Sequence, residues 1–266
     1  FIVRELTTPH PVVNLRILKN RSLAIGMFTT FILGFGLFGS VFVFPVFCQN
    51  LLGFSAQQTG MLLIPGGLCT IFMMPMIGKM LQRGVPPQIL STFGFFFFFM
   101  FTWMLSKSTL SSGESDFYIP LILRGVGLSL LFVPLTTLAL SSLEPKDIGQ
   151  GTGLNNMMRQ LGGSFGVAII TTMLHLRQGL HRSRMLEKVS LLNPEFNNRF
   201  NQIKQAMMAK GMTPAVAHDA ALRAVDGMVI RQTYLLSYMD AFWFTGVFFV
   251  CCIPLLYLQK FKRKAP

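Results

Sequence analysis

Residues 22–47 read SLAIGMFTTFILGFGLFGSVFVFPVF, a run without one ionisable side chain. A helix crosses bilayer hydrocarbon with roughly 20 mostly apolar residues. This stretch is long enough to span and too apolar to fold against water. Five further runs read the same way, at 60–80, 88–106, 118–143, 153–176 and 235–258. Several hold helix breakers, among them Pro65, Gly66, Gly67, Pro75 and Pro134. Membrane helices tolerate these where neighbours satisfy the freed backbone groups.

Composition agrees with six crossings. Of the 266 residues, 52% are hydrophobic and 12% charged, where a soluble domain carries about 25% charge. Mean hydropathy is +0.54. The formal net charge of +13 invites a nucleic-acid partner, but the basic residues gather at the ends of the apolar runs. The expected surroundings are a lipid bilayer, with no nucleic acid. Cys48, Cys69, Cys251 and Cys252 form no metal or redox spacing and read as small apolar side chains. The chain opens on Phe1 without a signal peptide, which reads as a piece of a longer protein.

Lys and Arg choose the cytoplasmic side. Arg4, Arg16, Lys19 and Arg21 precede the first run, Lys79 and Arg83 follow the second, Lys146 follows the fourth, and Lys260, Lys262, Arg263 and Lys264 follow the last. The opposite short loops offer Lys107 alone. Both ends are therefore expected inside the cell. The expected organisation is a cytoplasmic linker over 1–21, five spans over 22–176, an outer segment over 177–232, a sixth span over 233–258 and a basic tail over 259–266. In the outer segment, Phe196, Phe200, Ile203 and Met207 share one helix face. Gly211 fits a helix stop, and Thr213 with Pro214 a helix start. Val216, Ala217, Ala220, Ala221, Ala224 and Val225 form a second apolar face. Two amphipathic helices make an outer hairpin that runs into the last span, either resting on lipid or docking a partner.

Soluble-enzyme constellations are missing. There is no phosphate loop, no metal set among His10, His175, His181 and His218, which read as loop histidines, and no cofactor motif. Glu144, Lys146 and Asp147 read as a solvated cluster. No enzyme is expected. What remains is charge inside the membrane, which is costly and faces a cavity or a partner. Arg124, Arg159 and Asp240 are the candidates. Asp240 reads either as a proton or cation site or as an interfacial acid reached by water or paired to an arginine. Arg159 reads as a tie between helices. Arg124 reads as a partner for an anion or for Asp240, or as a side chain reaching the interface. Gly149, Gly153, Gly162 and Gly166, at spacings of four, read as a close-approach surface for a helix. The run Phe95 to Phe99 covers every helix face, so part of it meets lipid; a drug-contact role for one or two of the rings is the other reading.

The stretch from Gly149 to Ala168, GQGTGLNNMMRQLGGSFGVA, resembles the corresponding span of fourteen-span EmrB/QacA-type drug:proton antiporters of the major facilitator superfamily. Phe132-Val133-Pro134-Leu135-Thr136-Thr137 fits the same family. So does the opening from Arg4 to Leu15, which looks like the link into the C-terminal six-helix half. The long outer segment with Gly211, Met212 and Thr213 looks like the Gram-negative branch, whose members work with a periplasmic adaptor and an outer-membrane channel. Gly78, Gln82 and Arg83 are similar to the superfamily's gating loop, with Gln82 where an acid is usual.

The resemblance implies an all-α membrane protein, the C-terminal half of a major facilitator fold, in a bacterial inner membrane. It implies export of hydrophobic or cationic compounds by alternating access, driven by proton entry. The substrate would face the first, second, fourth and fifth spans. The better-known coupling residues would lie in an N-terminal half that this chain lacks. The alternatives are an exporter of one endogenous compound and a non-transporting subunit or scaffold.

Overall fold

Apolar side chains on every face, rather than on one stripe, make these helices ones that neighbours and lipid must cover together. In a computed structural model, residues 21–141, 143, 145–187 and 194–257 are described. Helix α1 is Arg21–Phe47, α2 Ala56–Gln82, α3 Pro87–Leu105, α4 Ser115–Leu140, α5 Ile148–Leu186, α6 Pro194–Ala209, α7 Pro214–Cys251 and α8 Ile253–Tyr257. Pro45 interrupts the hydrogen-bond ladder of α1. The chain then continues as a π-helical turn, Cys48–Leu52, stopped by Gly53 at φ 77°. Ser55 opens α2 with a reciprocal cap: its Oγ accepts the Gln58 N–H at 3.1 Å, and Gln58 Oε1 accepts the Ser55 N–H at 2.8 Å.

The long helices alternate in direction. α1 lies along α5, α2 and α3 both lie on α4, and α7 rests against α3 and α5. One end of the bundle, the near end, holds the start of α1, the 82–87 turn, the 145–147 turn and α8. Tyr257 and Thr92 meet there through their hydroxyls at 3.2 Å. The far end holds the 48–55 and 106–114 loops, where Gln58 Nε2 donates to Glu114 Oε1 at 2.8 Å. The first and last described residues thus share the near end.

The core is aromatic. Phe44, Phe47, Phe95, Phe98, Phe101, Phe117 and Phe249 are fully buried. Phe47 meets Phe117, Tyr238 and Phe242 edge-on, the geometry that aromatic quadrupoles prefer. Of the run Phe95 to Phe99, Phe95 and Phe98 are buried and Phe96 is exposed, so the run does divide between core and surface.

Five helices are long and apolar enough to cross a membrane: α1, α2, α3, α4 and α7. α5, which carries the expected fifth span, is not among them, because Asn155, Asn156, Arg159, Gln160 and Ser164 dilute it. The six-crossing count therefore does not follow from apolarity alone. The outer segment is helical across both of its expected bounds. α5 runs unbroken through Arg177 to Leu186, and α7 runs unbroken from Pro214 into the last span. At about 1.5 Å per residue, the 39 residues of α5 extend well past the ~30 Å of hydrocarbon. The far end carries a unit made from the ends of α5 and α7 and the short α6. Phe200 of α6 meets His218 of α7 edge-on at 5.2 Å, and Ala217 and Ala221 are fully buried. The expected linker apart from Arg21, the expected tail, Glu144, the Lys146 side chain and His10 lie outside the described residues.

Candidate functional site

Two helices cross through glycine at mid-height of the bundle. A Cβ on Gly34 of α1 would collide with the Arg159 carbonyl oxygen of α5, and one on Gly162 would collide with the Phe31 carbonyl. A Cβ on Gly166 would stand 2.7 Å from the Phe35 carbonyl oxygen. Only residues without a side chain let these backbones touch. Gly149 and Gly153 are different. Among the described residues nothing lies within 4 Å of a Cβ at either, so they make no close approach there. The expected stripe of four is two contacts and two open positions, because the nine residues from Gly153 to Gly162 make about two and a half turns and put the two pairs on opposite faces of α5.

That crossing sets the height of Arg159. Its guanidinium Nη2 donates to Asn156 Oδ1 at 2.6 Å, and its Cζ stands 4.7 Å over the Phe132 ring of α4. No carboxylate pairs with it among the described residues. Gly153, Asn156, Gln160 and Ser164 follow one another along α5 at helical spacing, and all four are exposed. They form a polar stripe that none of the described residues covers. Asn155, beside it, is buried, and its Oδ1 meets no donor.

Arg124 of α4 donates through Nε to Ser40 Oγ of α1 at 3.2 Å. It does not meet Asp240, one of the two partners considered for it. Ser40 is six residues along α1 from Gly34, so the two arginines stand about 9 Å apart along the bundle. They join α1, α4 and α5, three of the four helices expected to face substrate.

Asp240 lies elsewhere. Its Oδ2 is 2.8 Å from His181 Nε2 and 3.5 Å from Arg177 Nη1, both on the far-end extension of α5. The acid is therefore paired to α5, and is not a lone charge on the polar stripe. His181 is a helix residue with a carboxylate partner; reading it as a solvated loop histidine is corrected by the continuity of α5. His175 also lies on α5, and His218 on α7. A second tie, Arg182 Nη2 to Asp226 Oδ1 at 3.4 Å, joins the same helices further out. The sequence did hold a signal for the clasp: Arg177 and His181 are four apart and share a face once the helix continues.

In the expected gating loop, Gln82 and Arg83 are exposed, and nothing lies within 4 Å of a Cβ on Gly78. Arg83 closes α2, and Gly84 makes the turn at φ 88°. No ion pair is made there among the described residues. No group of three or more His, Cys, Asp and Glu able to hold a metal occurs among them either.

Apolar helices crossing backbone to backbone, with charge at mid-height, are the build of a polytopic membrane protein. The chain matches the Major Facilitator Superfamily over residues 3–167 and belongs to it; it is a multi-pass membrane protein of that family. It is 28% identical to the multidrug export protein EmrB of Escherichia coli K12, over 97% of this chain and 49% of that protein. It is 27% identical to the fatty acid resistance protein FarB of Neisseria gonorrhoeae, over 98% of this chain and 50% of that one. It is also 27% identical to an uncharacterized MFS-type transporter, YhcA of Bacillus subtilis 168, over 99% of this chain and 49% of that one. The chain thus spans about half the length of these relatives.

Proposed function

We propose that the chain is the C-terminal half of a proton-coupled exporter of hydrophobic compounds, with its near end in the cytoplasm of a bacterium and α5 as its fifth crossing. The observation that carries this is the stripe Gly153–Asn156–Gln160–Ser164 with Arg159 beside it. Polar side chains at bilayer depth face protein or a water-filled path, because lipid gives them no partner. A second half covering the stripe and rocking over it supplies that path. Relatives of twice the length, two of them named for multidrug export and fatty acid resistance, support both the missing half and the hydrophobic cargo.

The charge narrows the cargo. Arg124 and Arg159 give α1, α4 and α5 a positive potential, and Asp240 is held at the rim by His181 and Arg177. This half therefore favours cargo with a neutral or negative polar end. A carboxylate to take a cation, or to carry the proton, comes from the other half. The far-end unit, with Val216, Leu222 and Met228 exposed, offers a surface for a periplasmic adaptor and through it an outer-membrane channel.

The test is resistance conferred by the full-length protein. Arg159→Ala removes a charged hydrogen bond worth ~1.5–3 kcal/mol and is expected to lower export of hydrophobic weak acids about ten- to hundredfold. Asp240→Asn is expected to leave it within a few-fold. Unchanged resistance with Arg159→Ala at normal membrane levels removes the stripe from the transport path.

A further inference from the structure

The chain has two tryptophans, and both stand in one place. Trp103 lies near the far end of α3 and is 38% exposed; Trp243 of α7 is 48% exposed. Phe99 joins them, its ring centroid 6.0 Å from that of Trp243. One turn beyond Trp103, Lys107 holds its Nζ 5.0 Å from the indole centroid. Past the indole, a cavity of about 570 Å³ opens between the α3–α4 loop and α7, lined by Lys107, Ser108, Thr109, Ser111 and Gln232. Its wall toward the bundle is Leu235, Leu236 and Met239.

We propose that this cavity binds the headgroup of an anionic phospholipid. The phosphate lies on Lys107 and the loop hydroxyls, and the acyl chains run down α3 and α7 past Trp103 and Trp243. Tryptophan concentrates where lipid headgroups meet hydrocarbon, so two indoles on adjacent helices mark the depth of that boundary. A cationic amine and hydroxyl donors just above the boundary sit at phosphate level. The apolar wall continues downward where the lipid's own chains go.

Glu114 Oε1 accepts from Gln58 Nε2 at 2.8 Å, Asp116 Oδ2 accepts the Gly113 N–H at 3.0 Å, and Asp240 turns to His181 and Arg177 on α5. Lys107 pairs with no carboxylate among the described residues. A zwitterionic headgroup brings its own cation to this amine and gains less. The site lies on α3 and α7, away from the stripe on α5, so it concerns lipid and not cargo.

The experiment is native mass spectrometry of the full-length protein released from nanodiscs of equal phosphatidylglycerol and phosphatidylcholine. The expected result is retention of phosphatidylglycerol over phosphatidylcholine. That excess falls about fivefold in Lys107→Gln, since one lysine near a lipid surface contributes about that factor. Lys107→Arg keeps it, which separates lost charge from misfolding. Inorganic phosphate at millimolar concentration leaves the bound lipid in place. Equal retention of the two lipids overturns the proposal, as does an unchanged excess in Lys107→Gln. Displacement by inorganic phosphate also overturns it, by making the cavity a site for the free ion.

Discussion

A carboxylate near a membrane surface needs partners, and Asp240 finds two on a single neighbouring helix. The clasp is half exposed, which limits its value: screened pairs of this kind contribute about 0–1 kcal/mol each. Asp240→Asn keeps a hydrogen-bond acceptor for His181 and loses the ion pair. It is expected to lower thermal stability by one or two degrees and to speed hydrogen exchange in the far end of α5, both measurable in nanodiscs. Asn155 makes the opposite case. Its buried Oδ1 has no donor, and such an atom costs stability that an apolar residue of similar size does not. Asn155→Leu is expected to hold or raise the melting temperature of the chain while lowering export by the full-length protein. A clear loss of stability would mean that the amide has a structural partner.

At the scale of the helix, the glycines divide into two kinds, and substitution distinguishes them. Gly162→Leu drives a side chain into the Phe31 carbonyl and separates α1 from α5. The expected cost is several kcal/mol, at or above the ~1–3 kcal/mol of ordinary overpacking, read as loss of folded protein on detergent gel filtration. Gly149→Leu points into open space and is expected to leave folding intact. Helix periodicity puts these two positions on different faces of α5, but the sequence alone does not say which face meets another helix. Which glycine touches depends on where two helices cross, and crossing is a tertiary fact. The spans themselves were legible because length and apolarity are local properties. The run of α5 past its span was not. Arg177, His181 and Gln232 look like loop by hydropathy, yet α5 and α7 run on through Gly179 and Gly227, since one glycine costs a helix only about 1 kcal/mol. Arg159 was legible as a charge within a span-length run, and the structure leaves it half-buried. Its seat over Phe132 was not, because that contact joins residues on different helices.

Over the whole molecule, cover is uneven. α2 lies on α4 with Met61, Ile64, Leu68, Ile71, Phe72 and Met76 exposed along one side, and α5 shows its polar stripe. Lipid suits the first of these surfaces and not the second, so a second half is needed at α5 before it is needed anywhere else. Gly153 is exposed, open around its Cβ position and on the stripe, and it reports this cover directly. In a background without the native cysteines, Gly153→Cys is expected to react quickly with a water-soluble maleimide when the chain is made alone. When the N-terminal half is supplied as a separate polypeptide, labelling is expected to slow by about tenfold, the factor that burial worth 1.4 kcal/mol represents. A cysteine replacing exposed Gly179, on the far extension of α5, serves as the control and should label alike in both cases. If Gly153→Cys labels equally fast with and without the other half, the stripe is not where the two halves meet. The polar side chains on α5 would then need another explanation, such as contact with a second copy of this chain, which crosslinking through the same cysteine would reveal.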